Sequence, residues 1–221
     1  MLIDIHSHNR EVEPDVFRIY SSSEWKTILV KEAFPRRGVG LSVGVHPWEA
    51  PMWHESDKEA LFAVLNSPEV MIIGEIGLDK ACGVPFEVQK KIFLLQLEVA
   101  AECRKPVILH GVKAQSELLA IRKTVKDVPA WILHGFRGGP EEAVQYLSTG
   151  FYLSFGRYYH RESLKICPAD RLFLETDEKG DIHALYEQTA NERGVGLVEL
   201  DSTIERNFRT VFSAVSDNLL W

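Results

Sequence analysis

The stretch Ile3-Asp4-Ile5-His6-Ser7-His8 decides how the rest of the chain is read. Successive side chains of a strand point to opposite faces, so His6 and His8 at the end of a short apolar run aim their imidazoles the same way. Two neutral imidazoles converging on one point make half of a metal site. A lone pair of this kind more often lines a polar surface. What lifts it is the series of strand ends that follows.

Short apolar runs at 2–6, 16–20, 41–45, 70–73, 107–109, 130–133, 151–155 and 172–174 alternate with helical patterns at 58–65, 86–104, 114–123, 141–147 and 183–193. A short helix within 24–34 and a last one through Ile204, Phe208, Val211, Phe212 and Val215 complete the pattern. Strands alternating with helices predict a parallel sheet with crossover helices. Eight such strands in one unit, residues 1–221, predict a compact (β/α)₈ barrel, with the links after the second and seventh strands cut short. The rival, an open doubly wound sheet, usually carries a glycine-rich phosphate turn after its first strand. Here that strand ends in His6-Ser7-His8 instead.

Composition limits the function classes. Forty-five per cent hydrophobic and 26% charged residues describe a globule, and a formal charge of −7 argues against a surface that grips nucleic acid all over. It leaves room for a local basic mouth. Cys82, Cys103 and Cys167 are too few and too scattered for a disulfide framework or a thiolate zinc site. No apolar run approaches the roughly 20 residues that cross a bilayer, and the first residues read as a strand with no signal-like basic and apolar segments. The expectation is a cytoplasmic monomer without membrane contact.

If the strands close into a barrel, their C-terminal ends gather around one mouth. His6, His8, Glu75, His110, His134 and Asp177 all fall at such ends. Four imidazoles and two carboxylates exceed what one tetrahedral ion needs and suit two divalent ions about 3.5–4 Å apart that activate a water. Glu75 and Asp177 compete for the bridging position. Nitrogen and oxygen ligands together suit zinc or manganese, with magnesium admissible at a looser position. Asp4, one step deeper on the same strand face, either braces an imidazole from behind or fills a barrel layer. Asp79, ending the run from Val70, is placed in the same bracing role.

The runs Asp4-Ile5-His6-Ser7-His8, Gly44-Val45-His46-Pro47, Gly74-Glu75-Ile76-Gly77-Leu78-Asp79, Pro106-Val107-Ile108-Leu109-His110, Leu133-His134-Gly135-Phe136 and Leu174-Glu175-Thr176-Asp177 together resemble the TatD family of metal-dependent hydrolases, within the amidohydrolase-type barrels. The likeness extends to Gln89, Phe93, Gln96 and Leu97 of the long helix and to Asn207-Phe208 near the end. It implies a divalent-metal phosphoesterase, typically a deoxyribonuclease acting as an exonuclease from the 3′ end. It implies His6, His8 and Asp177 on one metal, His110 and His134 on the other, and Glu75 shared, with Asp177 positioning or deprotonating the attacking water. Glu75 and Asp177 are therefore the expected catalytic carboxylates.

The chain departs from that family around the mouth. Val112 stands where members usually carry Arg, with Lys113 beside it; Arg137 stands where Ser is common; Glu178-Lys179-Gly180-Asp181 replaces a proline-bearing loop. Lys80, Lys113, Arg137, Arg157, His160, Arg161 and Lys179 lie in loops around the mouth and would focus positive potential on an anionic substrate, most naturally DNA or another phosphodiester. Arg137, His46 and Lys113 are the candidate substrate contacts, Arg137 as a bidentate phosphate partner. Trp48 and Trp53 are expected to pack over the barrel rim, with stacking on a base as the alternative. Two other functions stay open: hydrolysis of a carbonyl ester, lactone or amide by the same ions, and a non-catalytic metal-binding module.

Overall fold

The computed structural model describes residues 1–22, 24, 26 and 38–213. Eight strands, β1 (Leu2–Ser7), β2 (Val16–Ser22), β3 (Val39–Val43), β4 (Val70–Asp79), β5 (Val107–Val112), β6 (Trp131–Leu133), β7 (Phe151–Phe155) and β8 (Leu172–Leu174), pair in parallel in sequence order. β8 returns to β1 through the Asp177 N–H donating to His6 O at 3.0 Å and the His8 N–H donating to Asp177 O at 2.8 Å. The predicted (β/α)₈ barrel is the observed fold. Its strands read as continuous apolar runs because a parallel sheet wrapped in helices is buried on both faces.

The helices are α1 (Asp57–Leu65), α2 (Phe86–Glu102), α3 (Gln115–Thr124), α4 (Pro140–Ser148), α5 (Arg161–Ile166), α6 (Ile182–Arg193) and α7 (Leu197–Val211). Asp181 caps the start of α6 by accepting from the His183 and Ala184 N–H groups, and Gly194, at φ 66°, ends it in the left-handed conformation that glycine adopts without strain. In α7 the buried Leu200, Ile204 and Phe208 recur every fourth residue, and the Phe208 ring meets Phe17 at 5.3 Å. That apolar stripe seats the last helix against the barrel.

Most sequence boundaries hold within two residues, with differences where local chemistry intervenes. The third strand ends at Val43, two residues before the expected end, because Gln96 captures the Val45 N–H at 2.7 Å and its C=O at 3.0 Å. A 3-10 helix at Pro47–Met52 and the six-residue α5 were not foreseen; segments that short carry too few turns for a periodic signal. The last helix begins earlier than its apolar spacing suggested. The helix expected within 24–34, and the part of the last one reaching Val215, lie outside the described residues apart from 24 and 26. Among the described residues no helix is long and apolar enough to cross a membrane.

Candidate metal centre

Two glutamines of α2 set the approach to the mouth. Gln89 donates to Asp79 O at 2.9 Å and accepts from its N–H at 2.7 Å, while Gln96 does the same for Val45. Seven residues apart, they lie on one face of the helix and clamp the ends of β4 and β3. Glu75 gains its aim from a register shift between β4 and β5 across Ile73 and Ile76. Such an irregularity re-aims a side chain toward a site. Gly77, paired with His110 at φ 145°, is required there, because a β-carbon would overlap the His110 carbonyl oxygen.

Glu75 is the hub. Its Oε1 lies 2.7 Å from His110 Nδ1, 2.7 Å from His134 Nε2 and 3.4 Å from His46 Nε2; its Oε2 lies 3.4 Å from His6 Nε2 and 3.8 Å from His8 Nε2. Asp177 Oδ1 stands 3.7 Å from both His6 Nε2 and His8 Nε2. The residues predicted at strand ends therefore converge from β1, β4, β5, β6 and β8. Ligand-bearing atoms within 4.8 Å of one another fall into groups: His6, His8 and Asp177; His6, Glu75 and His134; His46, Glu75 and His110; His134, Glu175 and Asp177.

The electrostatics follow from burial. Desolvation alone would push the Glu75 carboxyl up, but His134 charge and hydrogen bonds from His110, His134 and His46 hold it well below the usual carboxylate range. Burial likewise works against a charged His134, yet Glu75 and Glu175 drive its pKa well above the ordinary imidazole value. His8 is raised, chiefly by its bond to Glu75. Imidazoles and carboxylates thus share protons where a cation would otherwise sit.

His6 tests whether an ion fits. It has no exposed surface, and neither ring nitrogen has a hydrogen-bond partner, although Nε2 faces two carboxylates. A buried polar ring without partners costs about 1–3 kcal/mol. Nitrogen and carboxylate donors grouped around it are the set that a divalent ion takes, so the residues fit the implied metals.

Glu175, which the sequence reading passed over, is fully buried; its Oε1 accepts from Gly135 N at 2.7 Å and lies 3.1 Å from His134 Nδ1. It leaves His134 Nε2 toward Glu75. Its signals were a carboxylate at a strand end two residues before Asp177 and its place in the Leu174-Glu175-Thr176-Asp177 run, neither of which names a partner.

Asp79 lies 3.3 Å from His110 Nε2 and accepts from Trp48 Nε1 at 2.7 Å and from Ala81 N at 2.7 Å, which places it against that imidazole. Asp4 does otherwise. Its partners are Arg18 Nε at 3.0 Å, Thr176 N at 2.9 Å and Thr176 Oγ1 at 2.7 Å, so it fixes the backbone entering Asp177 instead of an imidazole. The left-handed φ of Asp177, 56°, is held between these bonds and the β1 backbone.

Above the cluster opens a cavity of about 600 Å³ lined by His8, His46, Trp48, Glu75, His110, Lys113, His134, Arg137 and Asp177 among others. Arg137 also lines a smaller adjoining cavity with Arg157 and Lys179. Three cations expected at the mouth are engaged elsewhere: Lys80 with Glu117 at 2.5 Å, Arg161 with Glu192 at 2.7 Å, and His160 as the N-cap of α5. Trp53 packs half-buried against the core, whereas Trp48, 58% exposed, sits at the mouth with its ring edge-on to His46 and His110.

Residues 8–213 match the family described as TatD related DNase. The chain is 39% identical over 158 residues to the 3′-5′ ssDNA/RNA exonuclease TatD of Cronobacter turicensis, covering 66% of this chain and 60% of that protein. It is 30% identical over 204 residues to the protein of the same name from Klebsiella pneumoniae, covering 79% and 77%. The crystal structure of YJJV, a TatD homolog from Escherichia coli k12, superposes with a TM-score of 0.82 at 20% identity, covering 96% of this chain and 98% of that one.

Proposed function

The chain belongs to the TatD related DNase family, and on that footing we propose that it is a divalent-metal-dependent phosphodiesterase that shortens single-stranded nucleic acid, DNA foremost, from the 3′ end. The observation that carries the reading is His6, wholly buried, with both ring nitrogens unpartnered and one of them facing Glu75 and Asp177. His6, His8 and Asp177 would hold one ion, His110 and His134 a second, and Glu75 both. When bound, the ions lower the pKa of water toward neutrality and offset the charge that builds on a phosphoryl group.

The chain's own groups supply the rest. Asp177, whose side chain is 31% exposed at the cavity, orients the attacking water and takes its proton. Glu175 and Asp79 hold His134 and His110 in place through the nitrogens 3.1 and 3.3 Å away. Arg137, Lys113 and His46 line the cavity where the phosphate enters; the planar Arg137 fork matches two phosphate oxygens. The three cysteines are free, which supports a reducing, cytoplasmic setting.

Metal analysis of the purified protein, followed by digestion of an end-labelled oligonucleotide with and without chelator, tests the proposal. Stepwise shortening from the 3′ end that chelator abolishes is the expected result. Turnover of carboxylic esters or lactones with intact oligonucleotide would replace the phosphodiester reading with a carbonyl one.

A further inference from the structure

Nine large apolar or aromatic side chains are exposed among the described residues: Val12, Trp48, Met52, Phe62, Val144, Tyr158, Ile166, Leu197 and Val198. Scattered exposure of this kind is ordinary. Of these, Trp48 alone lines the large cavity. It is also the one whose polar end is fastened: the indole N–H donates to Asp79, a carboxylate only 3% exposed. Asp79 is held in turn by the Ala81 N–H and by Gln89 on its backbone. The indole stands nearly perpendicular to His46 at 4.7 Å and to His110 at 5.9 Å.

Rigid placement of an exposed aromatic ring is what a stacking surface needs, because the ring has little freedom left to lose when a flat ligand lands on it. We propose that Trp48 is the platform on which the unpaired base next to the scissile phosphate stacks, in a substrate that is single-stranded at the cleaved end. This rests on the phosphodiesterase reading. Lys113 and Arg137, lining the same cavity, take the phosphates while Trp48 takes the base. Every base offers a π-face, so the platform discriminates base from no base and is indifferent to base identity.

The test compares kcat/KM for metal-loaded enzyme on two labelled oligonucleotides, one carrying a base at the nucleotide to be released and one abasic there. Stacking contributes enough that the ratio should be about fivefold or more in the unmodified protein. Trp48→Ala should bring it close to one, and Trp48→Phe, which keeps a ring but loses the tether to Asp79, should preserve part of it. A ratio of one in the unmodified protein, or one unaltered by Trp48→Ala, overturns the platform.

Should neither oligonucleotide be cut, the phosphodiesterase reading fails, and tryptophan fluorescence then decides the platform separately. Quenching by deoxyadenosine 5′-monophosphate, absent with deoxyribose 5-phosphate and lost in Trp48→Phe, supports it. Quenching that is absent, independent of the base, or retained in Trp48→Phe overturns it.

Discussion

Glu175 Oε1 lies 3.1 Å from His134 Nδ1, and this contact settles which nitrogen of the ring faces Glu75. A carboxylate behind a ligand histidine fixes its tautomer and raises its basicity, and losing such a partner typically lowers metal affinity about 10–100-fold. Glu175→Gln keeps an acceptor for Gly135 N but removes the charge, so metal affinity should fall within that range while the fold persists. Calorimetric metal titration of the variant beside the parent reads this directly; equal affinities would reduce Glu175 to a loop-bracing residue.

Asp177 is the most exposed of the two candidate catalytic carboxylates, at 31% against 8% for Glu75. As the group that receives a proton from water, its replacement by Asn should cost about 10²–10⁴-fold in kcat. Circular dichroism should be unchanged, because Asp177 joins the barrel through its backbone bonds to His6 and His8. Wild-type turnover in an Asp177→Asn variant with full metal content would remove it from the chemistry.

The barrel was legible because each of its strands announces itself as an apolar run, and β1, β4, β5, β6 and β8 also carry a histidine or carboxylate toward the mouth. Convergence of His6, His8, Glu75, His110, His134 and Asp177 follows once closure is assumed. What stayed hidden depends on partners far away in the chain. Glu175 acquires meaning only from Gly135 and His134, about forty residues earlier, and Asp4 only from Arg18 and Thr176. His46 read as bracing the site or facing the substrate; it lines the cavity, and its Nε2 comes within 3.4 Å of Glu75, because two further residues, Gly44 and Val45, carry it beyond the end of β3. Trp48 reads like any rim tryptophan until Asp79 is seen holding its N–H.

The Asp4–Arg18 pair offers a stability prediction. Arg18, 4% exposed, donates to Asp4, to Glu11 O at 2.6 Å and to Glu13 at 2.7 Å. Removing one partner of a buried ion pair leaves the other charge uncompensated, at about 3–5 kcal/mol. Arg18→Met should lower unfolding free energy by that amount in a urea titration, and adding Asp4→Asn should recover part of it, because Asn still accepts from Thr176. A second substitution that only adds to the loss would contradict this account.

Asp57, at the start of α1, yields a pH dependence away from the metal cluster. Burial would raise its carboxyl, but Lys26 at 2.7 Å and the His54 N–H at 3.0 Å keep it below its ordinary value of 3.8. A depressed folded pKa contributes stability above the unfolded value and loses it as pH falls through the lower folded one. Asp57→Asn should therefore destabilise the protein at neutral pH, by about 1 kcal/mol given the half-exposed lysine, with the difference shrinking as the pH drops below 3.8. Denaturant midpoints measured from pH 7 downward should converge; a constant gap would mean that charge plays no part.

His6 allows the metal assignment to be tested by the sign of a stability change, independently of turnover. In the ion-free protein its two buried nitrogens make no hydrogen bond, so His6→Leu, of similar bulk, removes an unsatisfied polar group and should stabilise by about 1–3 kcal/mol. With divalent metal present the sign should reverse. The parent gains about 2.7 kcal/mol at a free metal concentration of 100 times Kd, which the variant, short of a ligand, cannot match. Denaturant titrations with chelator and with metal therefore give curves that cross in order. A histidine that merely packed in the core would make the leucine variant behave the same way, better or worse, under both conditions; only a ring waiting for a cation makes the order depend on the ion.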